Sequence, residues 1–199
     1  MKETHRNTVT LVLGGARSGK SRYAQQLGER AGKVVFIATA HAGAHAGGND
    51  AEMRQKIQCH REERPQHWPT VEEPLELGAA IEQHGPSADT DADTGTDTDL
   101  LLIDCLTLFA ANLLEVCESS PGEIARRVDH LCHALAISPC AVVFVSNEVG
   151  SGIVPAYASG RKYRDLLGEI NQKVAQVADE AVLMVAGLPL FLKNKPTPA

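Results

Sequence analysis

Eight consecutive residues near the start of the chain have the types and spacing of a phosphate-binding loop. They fit G-x-x-x-x-G-K-[ST] at every fixed position. In such a loop, backbone N–H groups surround a phosphate, a lysine ammonium reaches the β- and γ-phosphates, and a hydroxyl ligates Mg²⁺. The segment predicts binding of GTP or ATP, with Lys20 catalytic and Ser21 a metal ligand. The predicted phosphate-binding residues are Gly14, Gly15, Ala16, Arg17, Ser18, Gly19, Lys20 and Ser21.

A second candidate for the metal is Asp104, which ends the apolar run LLLID. Phosphate-binding loops usually act together with a carboxylate at the end of another central strand, which holds Mg²⁺ directly or through water. The alternative is that Asp104 caps the helix predicted to begin at Leu106, and this role does not exclude metal binding. We predict that Asp104 and Ser21 hold the same Mg²⁺.

The elements that must position these residues form an alternating pattern. Near-continuous apolar runs, typical of buried parallel strands, occupy residues 9–13, 34–38, 100–104, 141–146 and 181–185. Amphipathic spacing predicts helices at residues 20–31, 50–64, 106–117, 121–136 and 161–179. This order predicts an α/β fold of the P-loop NTPase type, with a mostly parallel central sheet and helices on both faces. We expect residues 1–199 to form a single domain.

Two stretches break this alternation. Residues 41–49 are rich in glycine and alanine, and residues 85–99 are acidic and of low complexity. Both predict flexible surface loops. Residues 193–199 carry two prolines and no large apolar side chain, which predicts a frayed tail.

Composition narrows the class of partner. The formal net charge of -6 argues against a protein whose main partner is nucleic acid, because that task favours a basic surface. The 5 cysteines are odd in number and contain no CxxC pair, which is typical of buried thiols in a reducing compartment. Neither a signal peptide nor a membrane-spanning run is indicated. We therefore expect a cytoplasmic protein that acts on small molecules.

Several further blocks occur in one order between about Leu11 and Lys193: GGARSGKSRYA, FIATA, HREERP, LLIDCLTL, VSNEVGSGIVP and GRKYRDLLGEINQKVAQVAD. With them the chain resembles the bifunctional adenosylcobinamide kinase and adenosylcobinamide-phosphate guanylyltransferase family of cobalamin biosynthesis. The set is far more specific than a phosphate loop alone, which kinases, GTPases and ATPases share.

The resemblance implies that His60 is the nucleophile that attacks the α-phosphate of GTP. A largely neutral imidazole can attack phosphorus and later leave from the phosphoramidate. Arg61 and Arg64, one and four positions further on, then clamp phosphates or offset charge on the leaving pyrophosphate. Without the resemblance, a histidine on a charged helix is more often a solvated surface residue. His67 is a competitor that the family pattern does not select.

The resemblance also implies a set of nucleotide contacts: Thr39, Ala40, His41, Arg61, Glu62, Glu63, Arg64 and Glu72. Asn147 and Glu148 end a predicted strand at the edge where ligands bind in open α/β sheets, so they either face the substrate or cap the strand. The charged group at Arg161, Arg164 and Asp165 leaves three alternatives open, namely contact with the corrinoid, with the nucleotide or with a neighbouring subunit.

The implied activity has two steps. Adenosylcobinamide is phosphorylated with ATP or GTP, and GMP is then transferred from GTP to adenosylcobinamide phosphate through a guanylyl-histidine, giving adenosylcobinamide-GDP. The resemblance implies a homotrimer. The alternatives are a simple P-loop small-molecule kinase and a nucleotide-gated GTP-binding switch. VSNEVG stands where a switch would carry N-K-x-D, which counts against the latter.

Overall fold

A seven-stranded sheet organises residues 8–40, 64–86 and 98–194, the part of the chain that this computed structural model describes. The strands are β1 (Val9–Gly14), β2 (Val34–Ala38), β3 (Thr70–Glu72), β4 (Leu100–Asp104), β5 (Ala141–Asn147), β6 (Glu180–Val185) and β7 (Leu188–Lys193). The helices are α1 (Lys20–Arg30), α2 (Leu77–His84), α3 (Leu106–Cys117), α4 (Pro121–Ile137) and α5 (Ala158–Val177).

The spatial order of the strands is β3-β2-β4-β5-β1-β6-β7. All neighbouring pairs are parallel except β6 with β7. In this order β1 lies between β5 and β6, so its last residue, Gly14, is in register with Asn147 on one side and Met184 on the other. The predicted α/β class with a mostly parallel sheet is confirmed.

Both faces of the sheet are covered by helices. Along β1, Leu11 belongs to a core formed with α2, α3, α4 and α5, whereas Val12 belongs to a second core formed with α1 and Trp68. Phe109 and Phe144 are fully buried in the first core. Burial of each such side chain contributes about 1.5–3 kcal/mol, which explains why the central strands are mostly apolar.

Three elements are absent from the sequence prediction: β3, α2 and β7. The three residues of β3 pair only with β2 at the edge of the sheet, and α2 has only eight residues. Two predicted helix ends also shift, because α5 runs from Ala158 to Val177 instead of 161–179. Most of the helix predicted at 50–64 lies outside the described residues, and its last residue, Arg64, is not helical.

The predicted frayed tail is wrong at its first residue. Lys193 ends β7, and its ammonium donates to the carbonyl oxygens of Ala175 (2.9 Å) and Gln176 (3.0 Å). The β6–β7 hairpin turns through Ala186 (φ 52°) and Gly187 (φ 81°), and positive φ at both positions is the mark of a type I′ turn. Residues 195–199 lie outside the described part.

The predicted loops at 41–49 and 85–99 fall mostly outside the described residues, but the end of the second is fixed. Thr98 is buried, and the Asp99 carboxylate accepts a hydrogen bond from the Lys33 N–H at 2.7 Å. The side of the sheet at which β4 begins is therefore tied to the end of α1. Among the helices described, none combines the length and the apolar character needed to cross a lipid bilayer.

Candidate functional site

The phosphate loop connects the central strand β1 to α1. Its backbone takes the left-handed conformation at Arg17 (φ 56°) and at Gly19 (φ 94°), which is the N-cap residue of α1. No side chain caps this helix, so its first N–H groups are not satisfied by an N-cap side chain. Alternation of backbone conformation next to an uncapped helix start produces a concave row of N–H groups suited to an anion.

Close packing fixes the shape of this loop. A Cβ on Gly14 would clash with the Ser18 hydroxyl and lie 2.9 Å from the Met184 carbonyl oxygen, so the position has no room for a side chain. On the other side, the N–H of Gly187 donates to the carbonyl oxygen of Ser18 at 2.9 Å. The type I′ turn therefore holds the loop through its hydrogen bond to Ser18. Glycine at position 14 permits the close approach of Ser18 to the end of β1.

Lys20, the first residue of α1, is the lysine of the phosphate-loop motif. Its ammonium donates to the Gly15 carbonyl oxygen at 3.0 Å. Partial burial lowers the pKa of Lys20, while the nearby Asp104 and Cys105 act in the opposite direction. The lysine is therefore a partly desolvated cation close enough to Asp104 for their charges to interact.

Asp104 ends β4, in the place predicted for a metal ligand. The N-cap residue of α3 is Cys105, so Asp104 lies one position before the N-cap. Ser21 follows Lys20 in the first turn of α1 and is partly exposed. A hydroxyl and a carboxylate are oxygen donors of the kind that Mg²⁺ prefers, so the chemistry of Ser21 and Asp104 fits the ion. The charge interaction between Asp104 and Lys20, the neighbour of Ser21, indicates that the two elements lie near each other.

The thiol of Cys105, the residue after Asp104, has low reactivity. Burial and the neighbouring Asp104 carboxylate raise the pKa of its thiol to about 12. The thiol therefore stays protonated near neutral pH, which makes it a poor nucleophile. Its backbone has another task, since the Thr39 hydroxyl accepts from the Cys105 N–H and donates to the Cys105 carbonyl oxygen, each at 2.8 Å.

Of the described nucleotide candidates, Thr39, Ala40 and Glu72 lie at the same edge of the sheet as the phosphate loop, whereas Arg64 precedes β3 and is not placed at that edge. Thr39 and Ala40 follow β2, and Glu72 ends β3. Arg64 stacks on β2, with its guanidinium carbon 4.2 Å from the centre of the Phe36 ring. The other candidates, His41, His60, Arg61, Glu62 and Glu63, lie outside the described residues. β3, β2, β4, β5 and β1 are successive neighbours, so Glu72, Thr39, Asp104 and the phosphate loop follow one another along this edge.

Two charged residues near the segment between β5 and α5, Glu148 and Arg161, bind backbone groups of that segment. The Glu148 carboxylate accepts from the N–H groups of Gly150 (2.6 Å) and Ser151 (3.2 Å), which favours the strand-capping alternative for this residue. Arg161 donates to the carbonyl oxygens of Pro155 (3.0 Å) and Ala156 (2.8 Å).

Arg164 binds the neighbouring Asp165 at 2.9 Å. These contacts hold the segment between β5 and α5 and leave the three alternatives for this charged group undecided.

Asn147 ends β5 and is held through its backbone. Its N–H donates to the Thr107 hydroxyl at 3.0 Å, and its carbonyl oxygen accepts from the Asn171 amide at 3.1 Å. Asn171 also accepts from Ser146 at 2.6 Å. The side-chain oxygen of Asn147 is buried and has no partner within the described ranges. Helices α3 and α5 thus fix the strand end next to the phosphate loop.

One buried residue at this edge is missing from the sequence prediction. Asn112 of α3 is 2% exposed, and its amide donates to the carbonyl oxygens of Thr39 (2.9 Å) and Pro74 (3.1 Å). The signal in the sequence is an asparagine inside the otherwise apolar helix LTLFAANLLEVC. Buried amides are nearly always hydrogen-bonded, so such a residue must serve some polar partner.

Comparison with known proteins gives a consistent result. Residues 10–192 match the CobU family, described as cobinamide kinase / cobinamide phosphate guanyltransferase. The bifunctional adenosylcobalamin biosynthesis protein CobP of Pseudomonas aeruginosa is 41% identical over 187 residues, which cover 94% of this chain and 98% of that protein. The bifunctional adenosylcobalamin biosynthesis proteins CobU of Salmonella typhimurium and Escherichia coli are 38% and 36% identical, over 93% of this chain and 99% of theirs.

Among solved structures, a prototypical ATPase from the type III secretion system of pathogenic bacteria covers 89% of this chain and 52% of its own, at 12% identity and a TM-score of 0.49. A likeness at that level carries no information about the site. The match over residues 10–192 includes the phosphate loop and Asp104. On the strength of that match and the identity to the three relatives, the chain is an enzyme of the CobU family of cobinamide kinases and cobinamide phosphate guanyltransferases.

Proposed function

We propose that this enzyme phosphorylates adenosylcobinamide with ATP or GTP and then transfers GMP from GTP to adenosylcobinamide phosphate, giving adenosylcobinamide-GDP. Membership of the family supports both activities. The observation that carries the proposal is the phosphate loop, with the partly desolvated Lys20 beside Asp104 at the edge of the sheet.

Phosphoryl transfer needs positioning and charge neutralisation more than covalent chemistry by the protein. In our proposal the backbone N–H groups of residues 14–21 surround the β-phosphate, and Lys20 approaches the γ-phosphate. Ser21 and Asp104 hold Mg²⁺, which when bound neutralises charge on the phosphate oxygens. The hydroxyl of adenosylcobinamide attacks the γ-phosphorus, and the nucleoside diphosphate leaves.

Guanylyl transfer is a covalent reaction at the α-phosphorus of GTP. In our proposal an imidazole nitrogen of His60 forms a bond to that phosphorus as the bond to pyrophosphate breaks. A phosphate oxygen of adenosylcobinamide phosphate then attacks the same phosphorus, and the N–P bond breaks to release the histidine. His41, Arg61, Glu62, Glu63 and Arg64 surround the nucleotide together with Thr39, Ala40 and Glu72.

Intact-protein mass spectrometry after incubation with Mg²⁺ and GTP tests this proposal. We expect an acid-labile GMP adduct that does not form with ATP and is absent in His60→Asn. His67→Asn is the matched control, because it removes the competing imidazole and should keep the adduct. His60→Asn should still phosphorylate adenosylcobinamide. A wild-type enzyme that forms no adduct but phosphorylates the substrate would be a simple kinase, and one that only hydrolyses GTP would be a switch.

We further propose that the enzyme is a homotrimer in the cytoplasm. Exposed apolar residues of the β6–β7 hairpin support an assembly, because a surface rich in such residues usually contacts a partner. These residues, between 48% and 71% exposed, are Val185, Leu188, Leu190, Phe191 and Leu192. Sedimentation equilibrium measures the subunit number, and a monomer would refute the assembly.

The free thiols of Cys105, Cys117, Cys132 and Cys140 suit a reducing compartment, which cell fractionation checks.

A further inference from the structure

The buried amide of Asn112 joins two segments that are far apart in the sequence. It reaches Thr39 across 73 positions and Pro74 across 38 positions, at 2.9 and 3.1 Å. Both acceptors are main-chain carbonyl groups, and an asparagine NH₂ group has one hydrogen for each. The side chain therefore acts as a bridge between the chain just after β2 and the chain just after β3.

The described contacts between these two strand ends include a short strand pair. β3 has three residues and pairs only with β2 in the described sheet, where the last strand partners are Ala38 and Glu72. One further hydrogen bond, from the Glu73 N–H to the Ala38 carbonyl oxygen at 2.9 Å, closes the pair. The Asn112 amide adds a second connection between the two segments, just beyond the strand pair.

The bridge is continuous with the metal side of the site. Asn112 holds the carbonyl group of Thr39, and the Thr39 hydroxyl in turn exchanges two hydrogen bonds of 2.8 Å with the backbone of Cys105, the residue after Asp104. The ends of β2, β3 and β4 are thus joined by buried groups, because Thr39 is 0% exposed and Asn112 is 2% exposed. A displacement of one strand end would be transmitted to the others.

We propose that Asn112 is a positioning residue for the nucleotide, acting through the carbonyl groups of Thr39 and Pro74. This inference rests on the proposed function, in which Ala40 and Glu72 contact the nucleotide. Asn112 touches neither the substrate nor the reacting atoms. It sets the distance between the segment that carries Thr39 and Ala40 and the segment that carries Glu72, so that both sets of contacts are made at once.

Equilibrium binding of GTP, measured by titration calorimetry, provides a test that needs no chemistry. Asn112→Leu keeps a similar volume but has no donor, and we expect its Kd for GTP to rise about tenfold. Asn112→Ser, with one donor, can hold at most one of the two carbonyl groups and should show a rise of about threefold. In GMP-adduct formation the same variants should need more GTP for half-maximal rate, while the maximal rate per folded enzyme changes less than about threefold.

Val128→Ala is the matched control, because Val128 is 3% exposed in the core under α4 and is not among the residues that join the strand ends. It should lose stability and leave the Kd for GTP unchanged. If Asn112→Leu does not fold, Asn112→Ser carries the test. An unchanged Kd in a folded Asn112 variant, or an equal rise in Val128→Ala, would overturn the inference. A wild-type enzyme that forms no adduct would refute the proposed guanylyl transfer, and the calorimetric result would still decide the role of Asn112.

Discussion

Charged side chains have different partners at the phosphate loop and on the face formed by α2 and α4. On that face they pair with one another: Glu123 accepts from Arg126 and from Arg127, each at 2.8 Å. At the loop, the Lys20 ammonium donates to a backbone carbonyl at 3.0 Å, and partial burial disfavours its charged form. On the paired face Arg127 also binds Glu76, the N-cap residue of α2, at 3.0 Å, so charge joins α4 to the start of α2. The loop instead keeps a cation under an energetic cost that a bound phosphate would relieve.

Substitution of Lys20 should have the largest effect and gives the strongest test of this difference between the two regions. In Lys20→Met both activities should fall by about 10² to 10³, the usual cost of removing one charge-stabilising donor. Stability at pH 7 should not fall. Since burial lowers the pKa of Lys20, folding disfavours its charged form at pH 7. This cost declines as the pH rises through the lowered pKa and is gone above the ordinary lysine value of 10.5. Steady-state rates and thermal unfolding measure the two quantities.

The matched control is Lys162→Met, which removes an exposed cation paired with Glu118 at 2.7 Å. It should leave both activities within about twofold and change stability little, because exposed ion pairs contribute about 0–1 kcal/mol. A Lys20→Met enzyme that retained its activities, or one that unfolded at pH 7, would show that the lysine is a structural residue.

A smaller effect should separate two neighbouring glycines of the loop. In Gly14→Ala the new methyl group would meet the Ser18 side chain and the Met184 carbonyl oxygen, and we expect a loss of about 1–3 kcal/mol. In Gly15→Ala the methyl group would have no atom within 4 Å, and the change should stay within about 0.5 kcal/mol. Urea unfolding measures both variants. Equal losses would mean that the loop is not packed as described.

The smallest effect concerns the paired face and depends on pH. Hydrogen bonds from Arg126 and Arg127 lower the pKa of Glu123 to about 2 from its ordinary value of 4.5. Folding thus favours the ionised form, so the stabilisation is present above pH 4.5 and is lost as the pH falls towards 2. The urea midpoints of wild type and Glu123→Gln should differ slightly at pH 7 and converge below pH 4.5. Glu29→Gln, at an exposed position of α1, should show no such convergence.

The sequence predicts the centre of the molecule better than its edges. β2, β4 and α3 have the predicted bounds, because each is a mostly apolar run with many buried residues. β3 was missed since three partly exposed residues carry no periodic signal, and β7 was missed since Pro189 is unusual in a strand and tolerated here at the sheet edge.

The candidate site also contains residues that the sequence predicts and residues that it does not. The phosphate loop is a contiguous motif, and its fixed positions can be recognised from letters alone. Asn112 cannot be assigned in this manner, because its partners are backbone carbonyl groups brought to it by the packing of α3 against the sheet. Its neighbours Thr39 and Cys105 are likewise joined across 66 positions. Such contacts depend on tertiary structure and leave only a polar residue in an apolar helix as their trace.

The support of the phosphate loop by the β6–β7 turn has a consequence for biosynthesis of the chain. Ser18 is translated early, but the N–H that binds its carbonyl oxygen belongs to Gly187, near the end of the described chain. β1 likewise can pair with its two neighbours, β5 and β6, only after both have been synthesised. The loop therefore cannot reach its final shape on the ribosome until almost the whole sheet has been made, and nucleotide can assist folding only after that point.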